Sequence, residues 1–301
     1  MKLYAPDYYQ TFACIHRRCR HNCCIGWEID IDRETYTRYQ EVTGEFGKRL
    51  SRGICHGEEP RFRLTEGERC AFLNQDNLCD IILHLGEDSL CQICADHPRF
   101  RNFFADREEL GLGLCCEAAA ELILTRKAKT QLVCLSGEDE EPEIEELAFF
   151  ALRERVFALL QDRRLTVRER MENLAKEYAI SLPDWGYDRW AEVLKQLERL
   201  DPEWDARIAE LSQRKEAPQS LDADQEIAFE QVLVYFVYRH LAEGFYDGRI
   251  RKWLAFALIS TQILMGLHTG RSMQELVGLA RGYSAEVEYS EENLETMVGL
   301  L

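Results

Sequence analysis

The sequence predicts a mainly α protein. An irregular, cysteine-rich metal-binding region with little β structure over residues 1–135 is followed by a helical bundle over residues 136–301. Two observations carry the division. Eleven of the twelve cysteines lie between Cys14 and Cys116, and helical periodicity dominates the chain from residue 144 onward. Between them, seven of the nine residues 138–146 are acidic, a composition that suits a solvated linker running into the acidic first turn of a helix.

Length and composition set the outer limits. With 301 residues, 46% hydrophobic and 30% charged, the chain is long enough for two folded regions and too apolar for general disorder. A formal net charge of -17 argues against a nucleic-acid partner, because phosphate binding draws on clustered Lys and Arg. The opening Met1-Lys2-Leu3-Tyr4-Ala5-Pro6 lacks the apolar core of a signal peptide. The longest apolar run, residues 253–259, is far short of a bilayer's thickness. The expected address is therefore the cytoplasm, with no membrane partner.

Along the first region, short apolar runs are broken by turn-formers such as Gly53, His56-Gly57 and Glu66-Gly67. Residues 27–32, Trp-Glu-Ile-Asp-Ile-Asp, alternate and read as a strand; Asp32 is placed to cap a helix over 33–42. Residues 61–64 suggest a second strand. The Ala, Leu and Ile of residues 117–133 suggest a closing helix. Downstream, helices are expected over 144–162, 166–178, 185–200, 202–215, 222–242, 250–267, 272–281 and 290–300, with 227–241 and 253–267 central because they are apolar on most of their circumference.

The cysteines are spaced for chelation. The first cluster is Cys14-x4-Cys19-x3-Cys23-Cys24; the second is Cys70-x8-Cys79-x11-Cys91-x2-Cys94; Cys115-Cys116 opens the closing helix. Close spacing lowers the loop-closure cost of gathering soft ligands, and a CxxC turn is a common chelating element. In a reducing compartment such a set points to metal rather than to disulfides. The candidate ligands are Cys14, Cys19, Cys23, Cys24, Cys70, Cys79, Cys91, Cys94, Cys115 and Cys116, with His16, His21 and His97 as substitutes for a thiolate. Spacing alone leaves zinc and an iron–sulfur cluster open. Arg17, Arg18, Arg20, Arg99 and Arg101 make the region locally basic, which favours thiolates.

These motifs resemble the flagellin lysine N-methylase family. The resemblance rests on Phe12-x-Cys14-x4-Cys19-x3-Cys23-Cys24-x-Gly26-Trp27-x-Ile29-x-Ile31-Asp32, on Cys70-x-Phe72-Leu73, Leu78-Cys79-x-Ile81 and Leu90-Cys91-x2-Cys94, and on His97-Pro98-Arg99. It continues at Cys115-Cys116-Glu117-Ala118, Tyr235-Phe236-Val237-Tyr238-Arg239-His240 and Tyr246-Asp247-Gly248. Ala71 stands where the family usually has Pro. The first half is also similar to a wider group of cysteine-rich zinc- or iron-chelating domains.

The closer resemblance implies methyl transfer from S-adenosylmethionine to lysine side chains of flagellin, with an iron–sulfur cluster, of the 4Fe-4S type, favoured over zinc. The alternative is a non-catalytic zinc- or iron-binding interaction or carrier protein. No glycine-rich nucleotide loop follows a strand, and the Cys-x3-Cys-x2-Cys spacing of a standard radical S-adenosylmethionine enzyme is absent from the sequence. Trp27, Asp30, Asp32, Tyr235, Tyr238 and Asp247 offer the aromatic and proton-accepting groups that lysine methylation needs; none is assigned as catalytic, and no residue is assigned to the methyl donor.

Overall fold

The structure is a computed structural model that describes residues 1–138, 142–216 and 220–301. The centre of the expected acidic linker, residues 139–141, lies outside the described residues. The chain opens with β1 (Lys2–Pro6) and then gives two compact units, Ala13–Arg99 and Met1–Phe12 with Phe100–Leu301.

The unit Ala13–Arg99 is built from short pieces. They are α1 (Arg33–Glu41), α2 (Gly44–Gly53), the antiparallel pair β2 (Ile54–Cys55) and β3 (Arg61–Phe62), the antiparallel pair β4 (Leu64–Thr65) and β5 (Arg69–Cys70), α3 (Asp80–Leu85) and α4 (Gln92–Asp96). Asp32 caps α1 as expected, its Oδ1 accepting the Thr35 amide at 2.9 Å. Residues 27–32 do not form a strand: Asp30 makes a single bridge to Arg61, while Ile29 and Ile31 turn inward. Those isoleucines pack with Tyr39, Leu50, Ile54, Phe62, Phe72 and Ile81 in a small core that also holds Cys70 and Cys91. So few apolar side chains supply modest burial, at about 1.5–3 kcal/mol each.

The larger unit combines a sheet with a helical bundle. Its sheet runs β6 (Arg99–Phe103), β7 (Arg107–Leu112), β1 and β8 (Leu132–Ser136) in that spatial order. β1 lies parallel to β7, with Tyr4 opposite Glu109, and antiparallel to β8, with Pro6 opposite Leu132. The chain is mainly α as expected, and this sheet is the regular part of the little β structure foreseen for residues 1–135. It also explains why the compact units do not divide at 135/136: residues 1–12 and 100–136 are hydrogen-bonded into the helical unit. The closing helix is correspondingly shorter, α5 (Glu117–Leu124), and the chain then turns into β8.

The bundle follows as α6 (Ile144–Leu160), α7 (Val167–Glu177), α8 (Tyr187–Gln196), α9 (Trp204–Ser212), α10 (Ala223–Tyr246), α11 (Ile250–His268), α12 (Met273–Tyr283) and α13 (Glu291–Gly299). Polar residues set several of these starts. Thr166, Asp222 and Ser272 each form a reciprocal capping box, and Ser290 caps α13. α10 and α11 pack against each other, with Phe236 edge-on to Phe256 at 5.7 Å and Phe229, Val232 and Ile263 buried in the same core, as their all-round apolar character predicts.

α11 also corrects the reading of chain hydropathy. At 19 residues with mean hydropathy 1.2, it is long and apolar enough to cross a membrane by length and composition, even though Ser260, Thr261 and Gln262 interrupt its apolar run. However, 78% of that stretch is buried within the chain, where the fold uses it as a core helix. A short π-turn, Ser284–Glu288, then links α12 to α13.

Candidate metal centre

Eight of the ten cysteines singled out from the sequence lie in the unit Ala13–Arg99, and six of them act on one another. Cys24 feels the charges of Cys23, Cys70 and Cys79, and Cys94 those of Cys91, Cys24 and Cys70. Local structure places each. Cys70 ends β5, and its amide donates to the Cys24 carbonyl at 2.8 Å, joining the two sequence clusters. Cys79 and Cys91 stand at the N-caps of α3 and α4. Asp32 reaches from α1 to fix α4, its Oδ2 accepting the Gln92 amide at 2.9 Å.

The backbone is arranged to receive negative sulfur. Amides of Phe72 and Leu73 donate to Cys70, those of Ile81 and Ile82 to Cys79, and that of Cys94 to Cys91. A neutral thiol is a weak acceptor, so repeated amide–sulfur bonds suit thiolates. Two sulfur pairs also share protons. The Cys24 thiol donates to Cys23, holding Cys23 below the usual thiol range and pushing Cys24 up, with burial raising both. Cys94 donates to Cys91 with the same split. Burial pushes Cys70 up to about 11 and also raises Cys79, against the amide bonds.

Six soft donors, of which Cys70 and Cys91 are buried in the small core, repel one another once ionised, a chemistry that a thiophilic cation resolves. The donor set therefore fits a thiolate-held group. All twelve cysteines are free thiols. Among the described residues, no three Cys, His, Asp or Glu side chains already stand grouped to hold a metal ion.

The other candidates fall elsewhere. Cys14 is exposed, its sulfur accepting the His16 amide at 3.4 Å, and the Cys19 thiol donates to the His21 carbonyl at 3.3 Å. Burial, followed by the charge of Arg99, pushes His97 down to about 4, which keeps its imidazole neutral near pH 7. Cys115 and Cys116 belong to the larger unit. Cys116 stands at the N-cap position of α5, and burial raises Cys115 to about 12 despite a hydrogen bond with Tyr289.

That Tyr289–Cys115 contact belongs to a second constellation that sequence reasoning missed. Glu288 accepts from Tyr235 at 3.0 Å (Oε1) and 3.1 Å (Oε2), lies 2.5 Å from His240 Nε2 and 3.3 Å from Arg239 Nε. The Arg239 guanidinium stacks between Phe100 and Tyr289, at 5.0 and 4.8 Å. Burial raises the Glu288 carboxyl, but Arg239 and His240 outweigh it and hold it lowered. Tyr235 and His240, five residues apart on α10, were the visible half of this network. Glu288 comes from the π-turn, whose geometry no simple periodicity announces.

Of the remaining aromatic and acidic candidates, Trp27 donates to the Cys23 carbonyl at 2.7 Å. Tyr238 is buried against the Leu110 carbonyl at 2.8 Å. Asp247 accepts from Trp253 Nε1 at 2.9 Å and from Arg249 Nε at 2.7 Å, tying the α10–α11 turn.

To a thiol-rich unit and a helical unit with a buried acid–base network, sequence comparison adds relatives for the second. Residues 173–301 match the family described as "FliB lysine N-methylase C-terminal domain". The chain is 26% identical over 127 residues to the lysine-N-methylase of Salmonella typhimurium, a stretch covering 40% of this chain and 31% of the relative. It is 25% identical over 127 residues to the flagellar biosynthetic protein FliU of Salmonella muenchen, covering 40% of this chain and 75% of that relative. The likeness lies in the helical unit, and the aligned stretch spans less than a third of the Salmonella typhimurium relative's length. No solved structure matches the chain.

Proposed function

We propose that the protein is a lysine N-methyltransferase that uses S-adenosylmethionine to methylate flagellin and carries an iron–sulfur cluster, of 4Fe-4S type, on cysteines of the unit Ala13–Arg99. The observation that carries the reading is the conjunction of a lysine N-methylase domain match over residues 173–301 with six interacting thiols in the same chain. Cytoplasmic location, where thiols stay reduced, belongs to the same proposal.

Of Cys23, Cys24, Cys70, Cys79, Cys91 and Cys94, no more than four would ligate the irons while the others pack beside them, with amide neighbours stabilising thiolates and Asp32 fixing the loop that bears Cys91 and Cys94. When bound, the cluster would supply Lewis-acidic iron near the methyl donor. The transfer itself is a displacement. The neutral lysine nitrogen forms a bond to the methyl carbon while the carbon–sulfur bond breaks, its electron pair passing to sulfur and leaving S-adenosylhomocysteine. The lysine proton must leave to a nearby base before or after that step.

The test is anaerobic incubation of the protein with flagellin and S-adenosylmethionine, followed by mass spectrometry of flagellin. Added methyl groups on lysine support the reading; unchanged flagellin under reducing conditions counts against it. Metal and sulfide analysis separates the alternatives, since brown protein containing iron and acid-labile sulfide supports the cluster. Colourless zinc protein that leaves flagellin unmodified would instead favour a stapled interaction module.

A further inference from the structure

The larger unit exposes an aromatic and aliphatic patch away from its core. Phe103 is 60% exposed, Tyr246 58%, Leu147 51% and Ile144 81%. These residues belong together: the Tyr246 hydroxyl donates to the Phe103 carbonyl, Tyr246 stacks on Phe104 with centroids 6.0 Å apart, and the Ala105 amide donates to Glu146 Oε1 at 2.8 Å. Acids surround them, with Glu143, Glu145 and Glu243 exposed.

Glu146 is the anomaly. It is only 4% exposed, and its second oxygen, Oε2, has no hydrogen-bond partner among the described residues. A buried acceptor left unpaired costs about 1–3 kcal/mol, more when charged. Of the acids acting on the Tyr246 phenol, which burial raises, Glu146 comes first, ahead of Glu243, Glu109 and Glu143.

We infer that Glu146, Phe103, Phe104 and Tyr246 form a subsite for a lysine side chain of a basic protein segment, whose flanking residues lie along Ile144 and Leu147 within the acidic rim. One free carboxylate oxygen selects the chemistry. Arginine's planar fork seeks two oxygens and a divalent cation seeks several, whereas an ammonium on an apolar stem needs one oxygen and greasy walls. Aromatic faces also attract an ammonium, methylated or not. Because Oε2 is closed to solvent, Tyr246 turns aside on entry; it is the last residue of α10, followed by Asp247 and by Gly248 at φ +72°. The inference rests on the lysine-methylation reading for the partner's role, but its binding test does not.

The probe is a fluorescein-labelled peptide of alternating lysine and glycine, titrated by anisotropy against the full chain at about 0.15 M salt, where diffuse attraction is screened. Comparators are the arginine–glycine and acetyl-lysine peptides. Expected are at least fivefold preference for lysine over both, at least tenfold weaker binding to Glu146→Gln and to Tyr246→Ala, and no change in Glu172→Gln, a remote exposed acid. The side-chain amide in Glu146→Gln still offers a carbonyl oxygen to the Ala105 N–H, so that variant retains its fold. Equal binding to wild type and both variants, or no preference over arginine, overturns the subsite. If this pattern holds but flagellin gains no methyl group, the methylation reading fails and the subsite stands. Methylation with an unchanged KM in both variants overturns the subsite and leaves the reading.

Discussion

His240 Nε2 and Glu288 Oε1 lie 2.5 Å apart inside the helical unit, with the Trp253 ring stacked on the imidazole at 5.7 Å and 8°. Burial lowers the His240 pKa, and the bond to Glu288 only partly restores it. His268, also buried, is lowered by burial and then by Arg271.

Stability should therefore fall on mild acidification. In the unfolded chain both histidines take a proton near their ordinary pKa of about 6.5, while in the folded chain they resist it until lower pH. The unfolded state binds more protons, so the unfolding free energy decreases from about pH 7 downward, at up to about 1.4 kcal/mol per pH unit for each group. Glu288, held lowered, adds a further loss below about pH 4.5, as pH falls through its folded value. Urea unfolding at pH 5 to 8 measures the slope, and His240→Gln should flatten it; an unchanged slope in that variant would show that His240 is not a source.

A second buried pair carries structure rather than titration. Arg153 on α6 meets Glu109 on β7 through two bonds, at 2.7 and 2.6 Å, with the side chains 3% and 0% exposed. Arg153→Met should cost about 3–5 kcal/mol, because it strands a buried carboxylate. Arg153→Met with Glu109→Leu should recover most of that loss, since a packed apolar pair avoids the desolvation. Denaturant midpoints of the three proteins decide the matter; a double variant no better than the single one would refute this account.

Helix approach depends on a missing side chain. A Cβ at Gly266 of α11 would stand 2.6 Å from Tyr187 Cε1, and Tyr187 is buried with its hydroxyl bonded to the Gln262 carbonyl at 3.1 Å. The ring cannot give way without breaking that bond. Gly266→Ala should lower stability by about 1–3 kcal/mol through overpacking, overriding alanine's better helix propensity. Thermal unfolding reads this directly, and Gly266→Ala with Tyr187→Phe should recover part of the loss.

Much of the bundle was legible because its signals are local. Thr166, Asp222, Ser272 and Ser290 announce helix starts, and the apolar girth of residues 227–241 and 253–267 announces burial. The sheet was not legible, since β1 is five residues long and its partners Arg107 and Leu132 lie a hundred or more residues away. At the thiol site the cysteines were visible one by one. Which of them meet was not, because Cys24 and Cys70 are joined by a backbone bond across a turn-rich stretch whose path no period encodes. Glu146 was hidden as one of seven closely spaced acids, and only its burial sets it apart.

The thiol set itself makes the last prediction. If the six interacting cysteines hold the metal group, then Cys24→Ser and Cys94→Ser should each lose most of the bound metal. Each removes a sulfur that shares a proton with its neighbour and feels the charge of Cys70. Cys55→Ser and Cys134→Ser should keep full metal content, because Cys55 belongs to the β2–β3 hairpin outside both sequence clusters and Cys134 to β8 of the larger unit. The small core of the unit Ala13–Arg99 adds a consequence, since a group that binds only the folded form stabilises it in proportion to its affinity. Chelation or Cys94→Ser should thus expose that unit to protease while the helical unit keeps its circular dichroism. Metal analysis with limited proteolysis reads both effects, and full metal retention in Cys24→Ser and Cys94→Ser together would move the ligands to other cysteines.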